Sequence, residues 1–366
     1  MPLKSLPSRR IHVEEPLRIL SIGGGNGLSC LLQGLKYYAR PDLGEAPEAA
    51  RYTLPPNLRV EITAVVTVTD DGGSSGRLRR EFDVLPPGDI RNCMVALSED
   101  AALLSRLFQY RFANGRGLKG HSFGNLFLTA LTQLTGDFAQ AIKLSSEVLA
   151  ISGRIFPSTA TNVVLQARLE DGALVEGETR ISKSEIPIQT LSLKPRKPLP
   201  LPETLQAIEE ADLITLGPGS LYTSVIPNLL VDGIPEAIRN SSAVKAYFCN
   251  LMWQPGETMR FHASDHVQAI HKHALGKLLD CIIVNTRPVT ATLRRRYAIQ
   301  EVMPVQVDYE QLQEMGLRVV GEDLLARSAK VRHDSHRAAA VAIQMALLGR
   351  KRRQKAAVLK PMAASL

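Results

Sequence analysis

The feature that most constrains this chain is a local pattern met three times: a short apolar run, a loop of small polar residues, then apolar residues at helical spacing. The first unit reads LRILSI from Leu17, then GGGNG, then LSCLLQGLKYY. The second is VEITAVVTVT running into DDGGSSGR, and the third is ADLITL, GPGS and LYTSVIPNLLVDGIPEAI. A run that is short and apolar on both faces is a strand covered on both sides, and the leucine stripe after it supplies the cover. VKAYFCN and LDCIIVN add two more such runs, with an amphipathic stretch from about Ala263 to Ala274 between them. The alternation predicts an α/β fold with an open, mostly parallel sheet and helices on both faces.

Two stretches break the alternation. Residues 92–150 carry helical patterns and are expected to form a helical insertion. Residues 160–193 alternate around an Asp171-Gly172 turn and are expected to form a β-hairpin insertion. A surface insertion is expected from Ala39 to Leu58, and the proline-rich stretch Lys194 to Glu203 reads as a connector. The expected organisation is one domain over 17–348, with a flexible basic tail over 1–16 and another over 349–366. A chain of 366 residues, 45% hydrophobic and 22% charged, can bury a large core, which excludes disorder as the main state.

The net charge of +8 raises the question of nucleic acid. Part of the excess lies at the ends, in Lys4, Arg9 and Arg10 and in Arg350, Lys351, Arg352, Arg353 and Lys355. It reads as solvated tails, and no nucleic-acid partner is expected. Cys30, Cys93, Cys249 and Cys281 contain no C-x-x-C pair, which points to a reducing, cytoplasmic setting without disulfides or cysteine zinc. The first segment has no apolar stretch of a signal peptide, and no apolar run approaches the ~20 residues of a membrane span.

In an open parallel sheet, ligands bind beyond the carboxyl ends of the strands. The loop Gly23-Gly24-Gly25-Asn26-Gly27 lets backbone amides approach an anion at a helix start. It lacks the Gly-Lys-Ser/Thr of a Walker A loop, and Cys30 stands where a dinucleotide fingerprint wants a third small residue. Asp70 and Asp71 can accept ribose hydroxyls or hold hydrated magnesium beside a diphosphate, with Asp89 as a further oxygen ligand; helix capping is the alternative for Asp71 and Asp89. Gly72, Ser74 and Gly76 match the spacing of a hydrolase elbow, but the neighbouring aspartates disfavour an oxyanion there. Gly217, Gly219 and Ser220 open a third helix and suit a phosphate or carboxylate, with capping as the alternative for Ser220. His121 is either a proton carrier or phosphate donor, or an ordinary loop residue, and Asn125 follows it in the first turn of a helix. His262 and His266 are spaced for one helix face but lack the remaining features of a zinc site. Trp253 and Phe261 bracket a turn, as base-stacking or as core aromatics.

The segments IGGGNGLSCLLQGL, VTVTDDGGSSGRLR, LPPGDIRNCMVAL, HSFGNLFL, LGPGSLYTSVIPNLLVDGIPEAI, NLMWQPGET, SDHVQAI and VRHD, in this order, resemble the gluconeogenesis factor family. That family lies within the larger group of 2-phospho-L-lactate transferase-like (CofD-like) proteins, and the resemblance runs from about Leu17 to Leu348. It implies a Rossmann-like cytoplasmic protein that binds a nucleotide sugar of the UDP-N-acetylglucosamine type and supports cell shape and wall synthesis during growth on gluconeogenic carbon. The binding residues it implies are Gly24, Gly25, Asn26, Gly27, Asp70, Gly217 and Ser220, with Phe261 packing on the ligand where the family has Tyr, and Arg332 of VRHD on the diphosphate. Ser74, His121, Asn125 and Gly219 complete the nucleotide-binding set. Trp253 replaces the family's usual Thr. Ser335 is a site for phosphorylation or a helix cap.

The expected role is that of a regulatory binding protein that requires no cofactor and forms a homo-oligomer, with a protein partner in cell-wall regulation. The alternative is a phospholactyl-type transferase acting on a nucleoside diphosphate donor, with Mg2+ at Asp70 and Asp89 and catalysis by Asp70, Asp71 and Asp89. An NAD-dependent oxidoreductase is a third, weaker reading.

Overall fold

The computed structural model describes residues 15–40, 59–98 and 103–363, with side chains through residue 355. Most of the expected N-terminal tail and nearly all of the expected 39–58 insertion lie outside the described residues. The strands are β1 (Leu17–Gly23), β2 (Val60–Val66), β3 (Arg154–Pro157), β4 (Val164–Leu169), β5 (Leu174–Glu176), β6 (Ile188–Lys194), β7 (Leu213–Leu216), β8 (Val244–Phe248), β9 (Cys281–Asn285) and β10 (Arg318–Glu322). Seven of them form one sheet in the order β10-β9-β8-β7-β1-β2-β3, and every neighbouring pair is parallel. The fold is therefore α/β with a parallel sheet. Its edge strands, β3 and β10, are short or only half-buried and have no counterpart among the apolar runs of the sequence.

The apolar runs explain the centre of the sheet. In β1, Leu17, Ile19, Leu20 and Ile22 are all buried, so both faces are covered. Burying a side chain of that size contributes about 2 kcal/mol. The helix Gly25–Ala39 follows, and its buried Leu28, Leu31, Leu32 and Leu35 fall on one stripe. Across that helix runs the long helix Ser335–Ala363, so close at Gly34 that an added Cβ would stand 1.9 Å from the Ser335 carbonyl oxygen.

The order of the strands places the site. From β1 the chain builds outward through β2 to β3, then returns to lay β7 on the other side of β1 and builds outward again to β10. The loops after β1 and β7 leave in opposite directions, which opens a crevice at their carboxyl ends.

The two interruptions are present. The described residues between 88 and 148 include four helices, among them Phe123–Thr135, whose N-terminus is capped by Ser122 accepting from the Asn125 backbone amide. The second is an antiparallel sheet of three strands, β5-β4-β6. The Asp171-Gly172 turn connects β4 to β5, with Gly172 at φ +87°. After β5 the chain does not stay extended, because Gly177 at φ +93° turns it into the short helix Glu178–Ile181.

The C-terminal basic run differs from its reading as a solvated tail. Arg350, Lys351, Arg352, Arg353 and Lys355 continue the helix Ser335–Ala363. Arg350 and Arg353 pair with Asp212, which is fully buried, at 2.7 and 3.0 Å. The cap of this helix is Asp334, which accepts from the amides of His336 and Arg337, so Ser335 is not the cap.

Candidate functional site

A cleft of about 1320 Å³ opens over the carboxyl ends of β1 and β7, at the switch in strand order. Gly24, Gly25, Asn26 and Gly27 form one wall and enter it directly from β1. Packing makes glycine necessary here. A Cβ on Gly27 would lie 2.4 Å from the Pro218 carbonyl oxygen, and one on Gly24 would lie 2.6 Å from Asp89 Oδ2. Gly25 has φ +61°, a conformation costly to other residues. The amides of a helix's first turn have no partner within the helix, so this loop offers donors to an anion. Asp89 lies against this loop, where the Gly25 amide favours its charged form.

The two aspartates after β2 part company. Asp70 lines the cleft and accepts from the Gly72 amide at 2.9 Å. Asp71 turns away and accepts from the Thr179 amide and hydroxyl at 2.9 and 2.6 Å, which fastens the small sheet to the domain. It neither lines the cleft nor caps the helix that follows. Asp89 comes from the first turn of the helix Gly88–Leu97 and faces the cleft beside Asp70. It is open to the void but crowded on its other sides, and burial, then Asp70, pushes its carboxyl up to about 7.

A third carboxylate joins them. Glu178 lines the cleft, accepts from the Thr69 hydroxyl at 3.3 Å, and is held well above the usual carboxylate range by burial, then by Asp89 and Asp70. Nothing in the sequence marks it, since it reads as one more polar residue of a hairpin. Among the described residues, no group of three or more His, Cys, Asp or Glu side chains is arranged to hold a metal. Asp70 and Asp89 fit magnesium only in the manner usual for that ion, as one or two carboxylates completed by water and ligand phosphate.

The third loop contributes side chains rather than helix amides. Its helix start is occupied by buried Glu257, which accepts from the Tyr222 amide and the Thr223 hydroxyl, both at 3.0 Å. Gly217 packs beside β1, with its amide on the Ile22 carbonyl, and does not line the cleft. Gly219 and Ser220 do. The Ser220 hydroxyl accepts from Gln254 at 2.7 Å, which leaves its proton for a ligand. Asn250 fixes the arrangement by donating to the Gly219 carbonyl and to Gln254.

Four other expected residues lie off the cleft. Ser74, His121 and Asn125 meet one another in a buried cluster, with Ser74 Oγ 2.9 Å from His121 Nδ1 and accepting from the Asn125 side-chain Nδ2 at 3.2 Å. This network joins the helix Gly73–Phe82 to the helix Phe123–Thr135. Phe261 packs against Tyr222 and His266 with ring centroids 6.2 and 5.5 Å away. The aromatic that lines the cleft is Trp253. His266 is buried, its Nδ1 on the His262 carbonyl, and burial takes its pKa down to about 4, so the histidine pair is structural.

Arg332 lines the cleft from the segment after β10, with Lys330 beside it. Arg91, two residues on from Asp89, is a second guanidinium there that the sequence did not single out. It donates to Asn92 at 2.6 Å, while its buried Nε has no partner among the described residues. The cleft thus carries backbone donors at its centre, carboxylates on the β2 side with Arg91 beside them, and Lys330 and Arg332 on the segment that follows β10.

Residues 19–325 match the family described as "2-phospho-L-lactate transferase CofD". The chain belongs to the CofD family. It is similar to the gluconeogenesis factor of Bacillus subtilis, 44% identical over 329 residues, which covers 90% of this chain and 98% of that protein. The gluconeogenesis factor of Halalkalibacterium halodurans is 46% identical over 318 residues, covering 87% and 92%. A crystal structure of a Bacillus halodurans protein superposes with a TM-score of 0.82 at 44% identity, covering 90% of this CofD-family chain and 100% of the other. Among the described residues, no helix is long and apolar enough to cross a membrane.

Proposed function

We propose that this protein binds a nucleotide sugar of the UDP-N-acetylglucosamine type in the switch-point cleft, and that binding serves regulation of cell shape and wall synthesis during gluconeogenic growth. The observation that carries this reading is the convergence of Gly24–Gly27, Ser220 and Arg332 on one cleft of about 1320 Å³. Glycine-lined amides and a helix start suit a diphosphate, and a guanidinium can engage two of its oxygens. The relatives named gluconeogenesis factor support the physiological side. The same reading places the protein in the cytoplasm, as a homo-oligomer whose output passes to a protein partner.

The test is calorimetry against UDP-, GDP- and adenine-containing ligands, with and without a chelator. A UDP-sugar should bind in both conditions, and Arg332→Ala should weaken it about tenfold, within the range of a lost charge-assisted contact. A panel silent throughout removes the reading.

The carboxylate pair favours a second reading, a magnesium-dependent phospholactyl-type transferase. Asp70 and Asp89 stand on one face of the cleft, and magnesium held there with ligand phosphates would polarise the transferring group. Turnover of a nucleoside diphosphate donor with a deazaflavin alcohol, lost on chelation and in Asp70→Asn, would establish it in place of the first.

A further inference from the structure

Beside the main cleft lies a smaller pocket of about 360 Å³ at the carboxyl ends of β8 and β9. We infer that it receives the nucleobase of the ligand, with the Trp253 indole as its aromatic wall. The inference rests on the nucleotide reading above and names the part of the site that would take the base.

Position is the first argument. Neighbouring strands are about 4.8 Å apart, so the end of β9 stands roughly 10 Å along the sheet from the end of β7, where the phosphate-type loops lie. That is a span an extended nucleotide can bridge. The pocket adjoins the cleft, because Asn250, Leu251 and Trp253 line both. Its volume is near the lower bound of ligand pockets, which run from about 300 to 1,000 Å³, enough for a ring system and too small for a whole nucleotide sugar.

Chemistry is the second. Val289, Met303 and Pro304 give the pocket apolar sides, while the exposed side chains of Gln306 and Arg294 bring an amide and a guanidinium to its edge. A base needs this combination: apolar surface for its faces and donors and acceptors for its rim. The two asparagines nearby do not read the ligand. Asn285 accepts from the Leu324 amide and donates to the Arg287 carbonyl, and Asn250 is engaged as described above.

Preorganisation is the third. Trp253 is tied at both ends, by its backbone amide to the Met303 carbonyl and by its indole N–H to the Phe261 carbonyl, each at 2.9 Å. A ring already fixed loses little entropy when a base stacks on it. Phe261 acts through its carbonyl, as a support for the neighbouring indole.

Trp253 is the chain's single tryptophan, so its fluorescence reports on the wall that this pocket shares with the cleft. UDP and UDP-N-acetylglucosamine should change its emission saturably, whereas inorganic pyrophosphate and N-acetylglucosamine 1-phosphate, which lack a base, should not. By calorimetry, Trp253→Ala should weaken UDP roughly tenfold, as expected for a lost base–aromatic stack, and leave pyrophosphate unaffected. Trp253→Phe should restore binding to within about threefold, since a smaller ring still stacks. If UDP binds but leaves the emission unchanged, and Trp253→Ala binds it as well as the parent, the base lies elsewhere and this inference falls while the nucleotide reading stands. If no nucleotide binds at all, both fall.

Discussion

Asp89 shows how a single side chain can hold together the two demands on the cleft. Its carboxylate lies against Gly24, with the Gly25 amide favouring its charged form, yet it stands beside Asp70 where a second negative charge is unwelcome. With its pKa raised from 3.8 to about 7, the folded protein binds this proton over a range of pH in which the unfolded chain has released it. Unfolding free energy therefore falls as pH rises from about 4 to about 7, and Glu178, shifted the same way, adds to the decline. Asp89→Asn keeps the shape of the side chain beside the glycine loop and removes the charge. Thermal melts across that range should show a shallower decline than the parent and a higher midpoint at pH 8. An unchanged slope would mean that Asp89 does not titrate there. The glycines around it were legible in the sequence because backbone meets backbone at Gly27 and Pro218, and such contact tolerates no other residue. Glu178 was not, since its place depends on a turn at Gly177 that only the folded insertion defines.

Among the elements, the C-terminal helix departs most from its sequence pattern. Charge alone marks Arg350 to Lys355 as a solvated run, because the group that holds it, Asp212, lies 138 residues away from Arg350 at the start of a buried strand. Asp212 also accepts from the Arg18 amide at 2.9 Å, so β1, β7 and the helix meet at one carboxylate. Gly349 allows the approach, as a Cβ there would stand 1.8 Å from the Asp212 carbonyl oxygen. Removing one partner of a buried ion pair costs about 3–5 kcal/mol when nothing replaces it. Arg353 remains after Arg350→Ala, so that variant should lose less, about 2 kcal/mol. The double variant, which leaves the carboxylate without a cation, should lose more than the two single losses combined. Urea denaturation of the three proteins measures this, and simple additivity would show that the arginines do not share the charge. The strands of the sheet centre, by contrast, were readable directly, since LRILSI and ADLITL are buried on both faces and carry their own signal.

At the scale of the whole molecule, the reversal of strand order between β1 and β7 sets the glycine loops in the middle of the cleft, the carboxylates Asp70, Asp89 and Glu178 toward β2, and Lys330 and Arg332 toward β10. A diphosphate placed over the loops would lean to the cationic side and leave the carboxylates free for hydroxyls of a sugar. No one segment of the sequence contains this asymmetry, because its two halves come from segments far apart in the chain and become neighbours only through the winding of the sheet. It separates the two functional readings by their dependence on metal. A ligand at about one hundred times its dissociation constant stabilises the folded state by about 2.7 kcal/mol, enough to raise the melting temperature by a few degrees in a protein of this size. With UDP-N-acetylglucosamine at saturation, the rise should be the same in chelator as in millimolar magnesium, and Arg332→Ala should reduce it. Added salt should reduce it as well, since an exposed guanidinium is screened. A rise seen only with magnesium would place the diphosphate against Asp70 and Asp89 instead, on the side of the cleft that the transferase reading requires.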